Sequence, residues 1–114
     1  MIQIVKAPIK RSELQRIADE FYGDLVKAVV DIQKNIMAIG AERHSDEETL
    51  LIQEGSAQHD LWGINLYPSV EGQSMIEFDS MINVRPSQGN RSRSVEDAAT
   101  QERIKQIVKT LVKE

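Results

Sequence analysis

The chain has 114 residues, with 14 Lys and Arg against 18 Asp and Glu, a formal charge of −4 and 40% hydrophobic positions. That length fits one domain, residues 1–114, which can bury roughly two thirds of the surface its unfolded chain exposes. The absence of cysteine excludes disulfide scaffolds, thiol nucleophiles, thiolate zinc sites and iron–sulfur clusters.

No apolar run approaches the roughly 18 residues a membrane span needs, so no membrane partner is expected. The start, Met1 to Pro8, has no basic stretch followed by a long apolar one, and the expected location is cytoplasmic. An acidic balance with a pI near 5.2 argues against nucleic acid as a partner, because such binding needs a positive field.

In chain order, Met1 to Val5 reads as a short strand leading into Lys6-Ala7-Pro8. Ser12-Glu13-Leu14-Gln15 has the form of a capping box, and Leu14, Ile17, Ala18 and Phe21 follow at the spacing of one buried helix face. Gly23 supplies the residue that closes this helix. From Leu25 to Ala41 dense β-branched content, broken by Gln33-Lys34-Asn35, predicts two strands joined by a hairpin. A single helix across Asp24 to Ala41 is the rival reading, since Val29, Ile32, Ile36 and Ile39 also lie near helical spacing.

Ser45 and Glu48 read as a second capping box, with Leu50 and Leu51 facing the core and Gly55 as terminator. Leu61 to Tyr67 and Met75 to Arg85 read as strands around a turn at Pro68 to Ser74. A last helix runs from about Ala98 to Lys113, capped by Asp97 and burying Ile104, Ile107, Val108 and Leu111. The expected class is α+β: two layers, a mainly antiparallel sheet of about five strands, three helices on one face, and a ferredoxin-like βαββαβ core with an extra βα.

Alternation at period two divides the last two strands into an apolar face and a polar one. Trp62, Ile64 and Leu66 form the apolar set on the first, and Ile76, Phe78, Ile82 and Val84 on the second. Gly63, Asn65 and Tyr67 share the other face with Glu77, Asp79, Asn83 and Arg85. Pairing Tyr67 with Met75 puts Asn65 opposite Glu77 and Gly63 opposite Asp79, leaving open space above that carboxylate. The same face is equally the solvated exterior of an antiparallel sheet.

The loop from Arg85 to Ser94 carries three arginines and no acid in an acidic chain. Gly89 and Asn90 permit positive φ, so its N–H groups can converge on an anion while Arg85, Arg91 and Arg93 fork onto phosphate or carboxylate oxygens. Ser87, Gln88, Gly89 and Asn90 complete the expected ligand-binding set, with Asp79, Asn83 and Asn65 as its polar floor. Asp79 is the nominee for general base, although no motif requires catalysis.

Two features oppose this reading. Glu96 and Asp97 stand where an anion would enter, and Arg91 or Arg93 can pair with Asp79 or the Asp46-Glu47-Glu48 cluster. His44 beside Asp46 and Glu48 has metal-capable chemistry, but the helix cap explains those acids, and no metal or cofactor is expected. His59 and Asp60 read as solvated neighbours.

The runs Phe78 to Arg93 and Asp60 to Pro68 resemble a small prokaryotic family catalogued as a domain of unknown function. The resemblance covers nearly the whole chain and implies a free-standing single-domain protein, with no reaction or ligand attached. Two functions stay open: binding of an anionic small molecule at the arginine loop, or an interaction module, most simply a homodimer, using the same loop and sheet face.

Overall fold

In a computed structural model the backbone is described for residues 1–114 and the side chains for all of them except Gln73. The elements are β1 (Gln3–Val5), β2 (Ile9–Lys10), α1 (Arg11–Glu20), β3 (Val26–Asp31), β4 (Ile36–Ile39), α2 (His44–Gln53), β5 (Leu61–Leu66), β6 (Ile76–Glu77), α3 (Ala98–Leu111) and β7 (Val112–Lys113). The three helices and the antiparallel five-stranded sheet, in the order β1-β4-β3-β5-β6, give the expected α+β class. A separate parallel pair, β2 with β7, ties the start of α1 to the end of α3.

The hairpin reading of 25–41 holds, and the single-helix rival does not. Asp31 closes the turn: its Oδ1 accepts the N–H groups of Gln33 and Lys34 at 2.9 and 3.0 Å, and its Oδ2 accepts the Ser56 hydroxyl at 2.6 Å. Asn35 supplies the positive φ of 59° that the turn needs. Gly23, at φ +88°, ends α1 by donating to the Ala18 carbonyl.

Neither predicted capping box forms. Both helices begin one residue before their serine, at Arg11 and His44, and the preceding residues make no side-chain cap. Tertiary bonds fix these starts instead: β2 pairs with β7 directly before Arg11, and His44 Nε2 donates to the Ile64 carbonyl at 2.7 Å.

The strand order departs from a ferredoxin-like core. β1 and β3 are both antiparallel to β4 and flank it, with α1 between them in sequence; β4 and β5 flank β3 in the same way around α2. In a ferredoxin-like sheet the fourth core strand lies beside the first. Here β5 lies beside β3, so both crossovers advance the same way along the sheet from strands of opposite direction. Crossovers of one hand must then pass over opposite faces.

The core shows that consequence and corrects the two-layer expectation. α1 and α3 bury Leu14, Ile17, Ile104 and Leu111 against Ala28, Met37 and Ile64, whereas α2 buries Leu51 against Val29, Ala38 and Leu61 on the reverse face. β3, β4 and β5 are covered on both sides and lack the alternation of a half-exposed strand.

Candidate functional site

The expected strand from Met75 to Arg85 stops at Glu77. Tyr67 donates to the Met75 carbonyl at 2.8 Å and Asn65 lies opposite Glu77, so the predicted register holds to that point. Beyond it the chain leaves the sheet. Ser80, not open space, lies over Gly63, where a Cβ would meet the Ser80 Cβ and Oγ at 2.6 Å. The Ser80 side chain caps a single 3-10 turn at Met81–Asn83. The predicted apolar row splits accordingly: Ile76 and Phe78 join the α1/α3 core, Ile82 packs on the α2 side, and Val84 is exposed.

Two buried asparagines, Asn83 and Asn90, hold the chain between this turn and α3. Asn83 exchanges two hydrogen bonds with the Gly63 backbone, at 2.8 and 2.9 Å, and donates to the Arg93 carbonyl at 2.9 Å. Asn90 donates from Nδ2 to the carbonyls of Asn83, Ser92 and Ser94, at 2.8, 3.1 and 2.7 Å, while its Oδ1 accepts the Glu96 N–H at 2.9 Å. Arg85 and Asn90 pair backbone to backbone, and Gly89 at φ +80° closes the turn Pro86–Gln88 between them. Val95, fully buried, anchors the far end. The loop is thus irregular in shape and fixed in place.

Its three arginines have different surroundings. Arg85 lies over the Trp62 ring at 5.0 Å, donates to the Leu61 carbonyl at 2.5 Å and reaches Glu48 at 3.3 Å. Burial pulls its pKa down, against the opposing pull of Glu48. Arg93 pairs with Asp79 at 2.6 Å, both side chains about half exposed. Arg91 is exposed, and its guanidinium makes no hydrogen bond or ion pair among the described residues.

The backbone N–H groups expected to receive an anion already hold one. Glu96 Oε2 accepts from Arg91 and Ser92 at 3.0 and 2.7 Å. The hydrogen bonds from Ser92, followed by the Arg91 N–H and charge, hold the Glu96 carboxyl below its ordinary pKa. Asp97 caps α3, accepting the Thr100 hydroxyl at 2.7 Å and the Thr100 N–H at 2.9 Å, and these bonds, the hydroxyl first, lower its pKa as well.

The remaining expected residues fall into two groups. Asn65 is buried, donating to Glu77 at 2.9 Å, and its Oδ1 has no partner. Ser87, Gln88 and Gly89 are exposed at the loop tip, where Gln88 donates to the His59 carbonyl at 3.1 Å. Gln88, Gly89 and Asn90 also line a shallow cleft of about 400 Å³ with His59, Trp62 and Asp97. The structure therefore brings Asp79 together with Arg93, and Arg85 with Gln88, but it turns Asn65, Asn83 and Asn90 inward as supports.

The sequence reading missed the buried polar face of α2. Glu47 is fully buried, and burial pushes its pKa up to about 9 despite the Ala41 N–H it accepts at 3.1 Å. It is therefore a neutral acid, with Oε1 unpartnered. His44 is buried one turn earlier, and desolvation lowers its pKa against the bond to Ile64. The signal was the spacing His44, Glu47, Leu51, which puts both polar residues on the face of a core leucine. No group of three or more His, Asp or Glu stands ready to hold a metal ion among the described residues, and no helix is long and apolar enough to cross a membrane.

No curated protein and no solved structure matches the chain. A family model does match, over residues 3–111, and the chain belongs to that family, described as "Protein of unknown function (DUF5674)".

Proposed function

We propose that the chain is a binding protein whose recognition surface for a phosphate- or carboxylate-bearing small molecule runs from Asp79 to Arg93. The observation that carries this reading is Arg91: an unpaired guanidinium on a backbone that Asn90 holds rigid. A fixed base keeps down the entropy lost when a ligand binds.

Arg93 adds the second charge. Its bond to Asp79 is half exposed, and such pairs contribute at most about 1 kcal/mol, so an incoming anion can draw Arg93 away at little cost. That exchange would also release the Asp79 carboxylate, which is the role of a general base should turnover be found. Ser87 and Gln88 offer hydrogen bonds at the neighbouring tip, and Arg85 contributes charge from beneath.

The test is an amide NMR titration of labelled protein with pyrophosphate and ATP, repeated at higher salt. Saturable shifts confined to 79–93, lost when Arg91 and Arg93 are both replaced by Ala, support the reading. Unmoved amides at millimolar ligand end it.

A second reading is favoured by Met81, 64% exposed near the start of the same ordered segment. An exposed apolar side chain in the segment that also carries the unpaired Arg91 suits a protein partner, most simply a second copy of the chain. That interface predicts a mass in light scattering that rises with concentration and falls back to the monomer in Arg91→Glu.

A further inference from the structure

On the α1/α3 side of the sheet, away from the arginine loop, a cleft of about 410 Å³ separates α3 from the turn that joins β5 to β6. Its floor is apolar, formed by Met75, Ile76, Val108 and Val112. Its rim carries Arg11, Lys105 and Lys109 against Glu102 and Glu114, a local excess of positive charge in a chain of net charge −4. Lys105 and Lys109 lie one turn apart on α3 and form no ion pair among the described residues.

Arg11 is held in a particular pose. Its Nη1 donates to the Pro68 and Val70 carbonyls at 2.9 and 3.0 Å and lies 3.2 Å from the Met75 sulfur. These bonds use one end of the guanidinium and leave the edge formed by Nε and Nη2. That edge matches a carboxylate in the two-bond side-on geometry. One carboxylate is already there: Glu114 Oε2 accepts from Nε at 2.9 Å. The two side chains differ in exposure, 22% for Arg11 and 81% for Glu114, so the cation is fixed in the wall and its partner lies loosely over it.

We propose that this cleft binds a small carboxylic acid with an apolar tail, its carboxylate replacing that of Glu114 on Arg11 and its tail lying on Met75, Val108 and Val112. The volume is within the range of small-molecule sites, and an apolar floor with a few convergent polar groups is their usual composition. Exchanging one carboxylate for another leaves the charge of the cleft unchanged. Lys105 and Lys109 add attraction at the mouth, and the tail adds apolar burial that Glu114 does not supply. Glu114 is then a built-in competitor that keeps Arg11 satisfied while the cleft is empty.

Octanoate is the probe, with acetate and octanol as controls for the tail and the carboxylate. The expected result is saturable amide shifts at Gly72, Met75, Val108 and Lys109 with octanoate, and far weaker shifts with either control, while 85–94 stay still. Glu114→Gln removes the competitor and should tighten octanoate severalfold; Lys105→Gln with Lys109→Gln should weaken it by about threefold to tenfold. Arg11→Lys, which keeps the charge but loses the planar edge, should also weaken it. Octanol binding as well as octanoate, or an octanoate affinity unchanged in Glu114→Gln and in the lysine pair, overturns the proposal. Failure here leaves the arginine-loop reading untouched, since the two sites report on separate amides.

Discussion

Asn83 treats Gly63 as a neighbouring strand would: its Oδ1 accepts the Gly63 N–H at 2.8 Å and its Nδ2 donates to the Gly63 carbonyl at 2.9 Å. β6 ends at Glu77, so the edge of β5 would otherwise carry unpaired backbone groups in a buried place. One side-chain amide replaces the missing length of strand. Asn83→Ala strips the partners from both Gly63 groups and takes one of two donors from the Arg93 carbonyl, which keeps the Ser80 N–H at 3.0 Å. Leaving buried groups unsatisfied costs about 1–3 kcal/mol each, and a net loss of about 3 kcal/mol is expected, a fall of roughly 15 °C in Tm. Thermal unfolding followed by circular dichroism measures it. A loss under 1 kcal/mol, read against the scale of ordinary surface substitutions, would mean that water replaces the amide.

Arg85 and Arg91 are six positions apart in one loop and should behave oppositely on truncation. Arg85→Ala removes the stacking on Trp62 and the bond to the Leu61 carbonyl, and leaves Glu48 half-buried without its partner. About 2 kcal/mol of stability should go, and Arg85→Lys should recover little, because an ammonium cannot both stack and reach two acceptors. Arg91→Ala should leave the urea midpoint within error of the parent. Equal losses for the two would show that the loop does not distinguish a wall arginine from an outward one.

The contrast marks how far the sequence could be read. Helix α3 and its Asp97 cap, the hairpin at 26–39 and the Asn65 to Glu77 register were legible, because each follows from local spacing and composition. The face taken by α2 was not: it depends on whether β5 docks beside β3 or beside β1, a choice between distant segments that no periodicity records. The stretch from Phe78 to Val84 alternates like a strand yet is not one, because Ser80 seats on Gly63 and Asn83 supplies the ladder bonds. At the loop, the three arginines were visible as charge and the pairing of Arg93 with Asp79 was foreseeable, but the partners of Arg85, Trp62 and Glu48, come from other elements.

Glu47 gives stability a slope with pH. Its pKa is raised to about 9 from an ordinary 4.5, so between those values the folded state holds a proton that the unfolded state has released. Its contribution is complete below about 4.5 and is lost as pH rises toward 9, by about 1.4 kcal/mol per pH unit. Glu47→Gln keeps the shape of the neutral acid and has no proton to lose. Relative to the parent it should gain stability steadily from pH 5 to pH 8 in urea unfolding. His44 acts in the opposite sense at lower pH: its lowered pKa makes stability fall as pH drops through the histidine range. The His44 slope is common to both proteins and cancels in the difference. A difference that stays flat from pH 5 to pH 8 would show Glu47 ionised in the folded protein.

Glu96 occupies the backbone cradle that the sequence offered to a ligand. Its Oε2 takes the N–H groups of Arg91 and Ser92, the same donors that Gly- and Asn-rich turns present to phosphate elsewhere. The carboxylate is exposed, so its removal should not unfold the protein, but it should free two donors beside the unpaired Arg91 guanidinium. Glu96→Gln cannot accept both bonds with a full charge and also removes the repulsion an incoming anion meets. Amide exchange at Arg91 and Ser92 should quicken, and pyrophosphate should bind the variant more tightly than the parent. Both effects should weaken with salt, since every partner is at the surface. If exchange quickens while pyrophosphate affinity stays unchanged, the cradle serves only to fold the loop onto α3, and anion recognition rests on the arginine side chains alone.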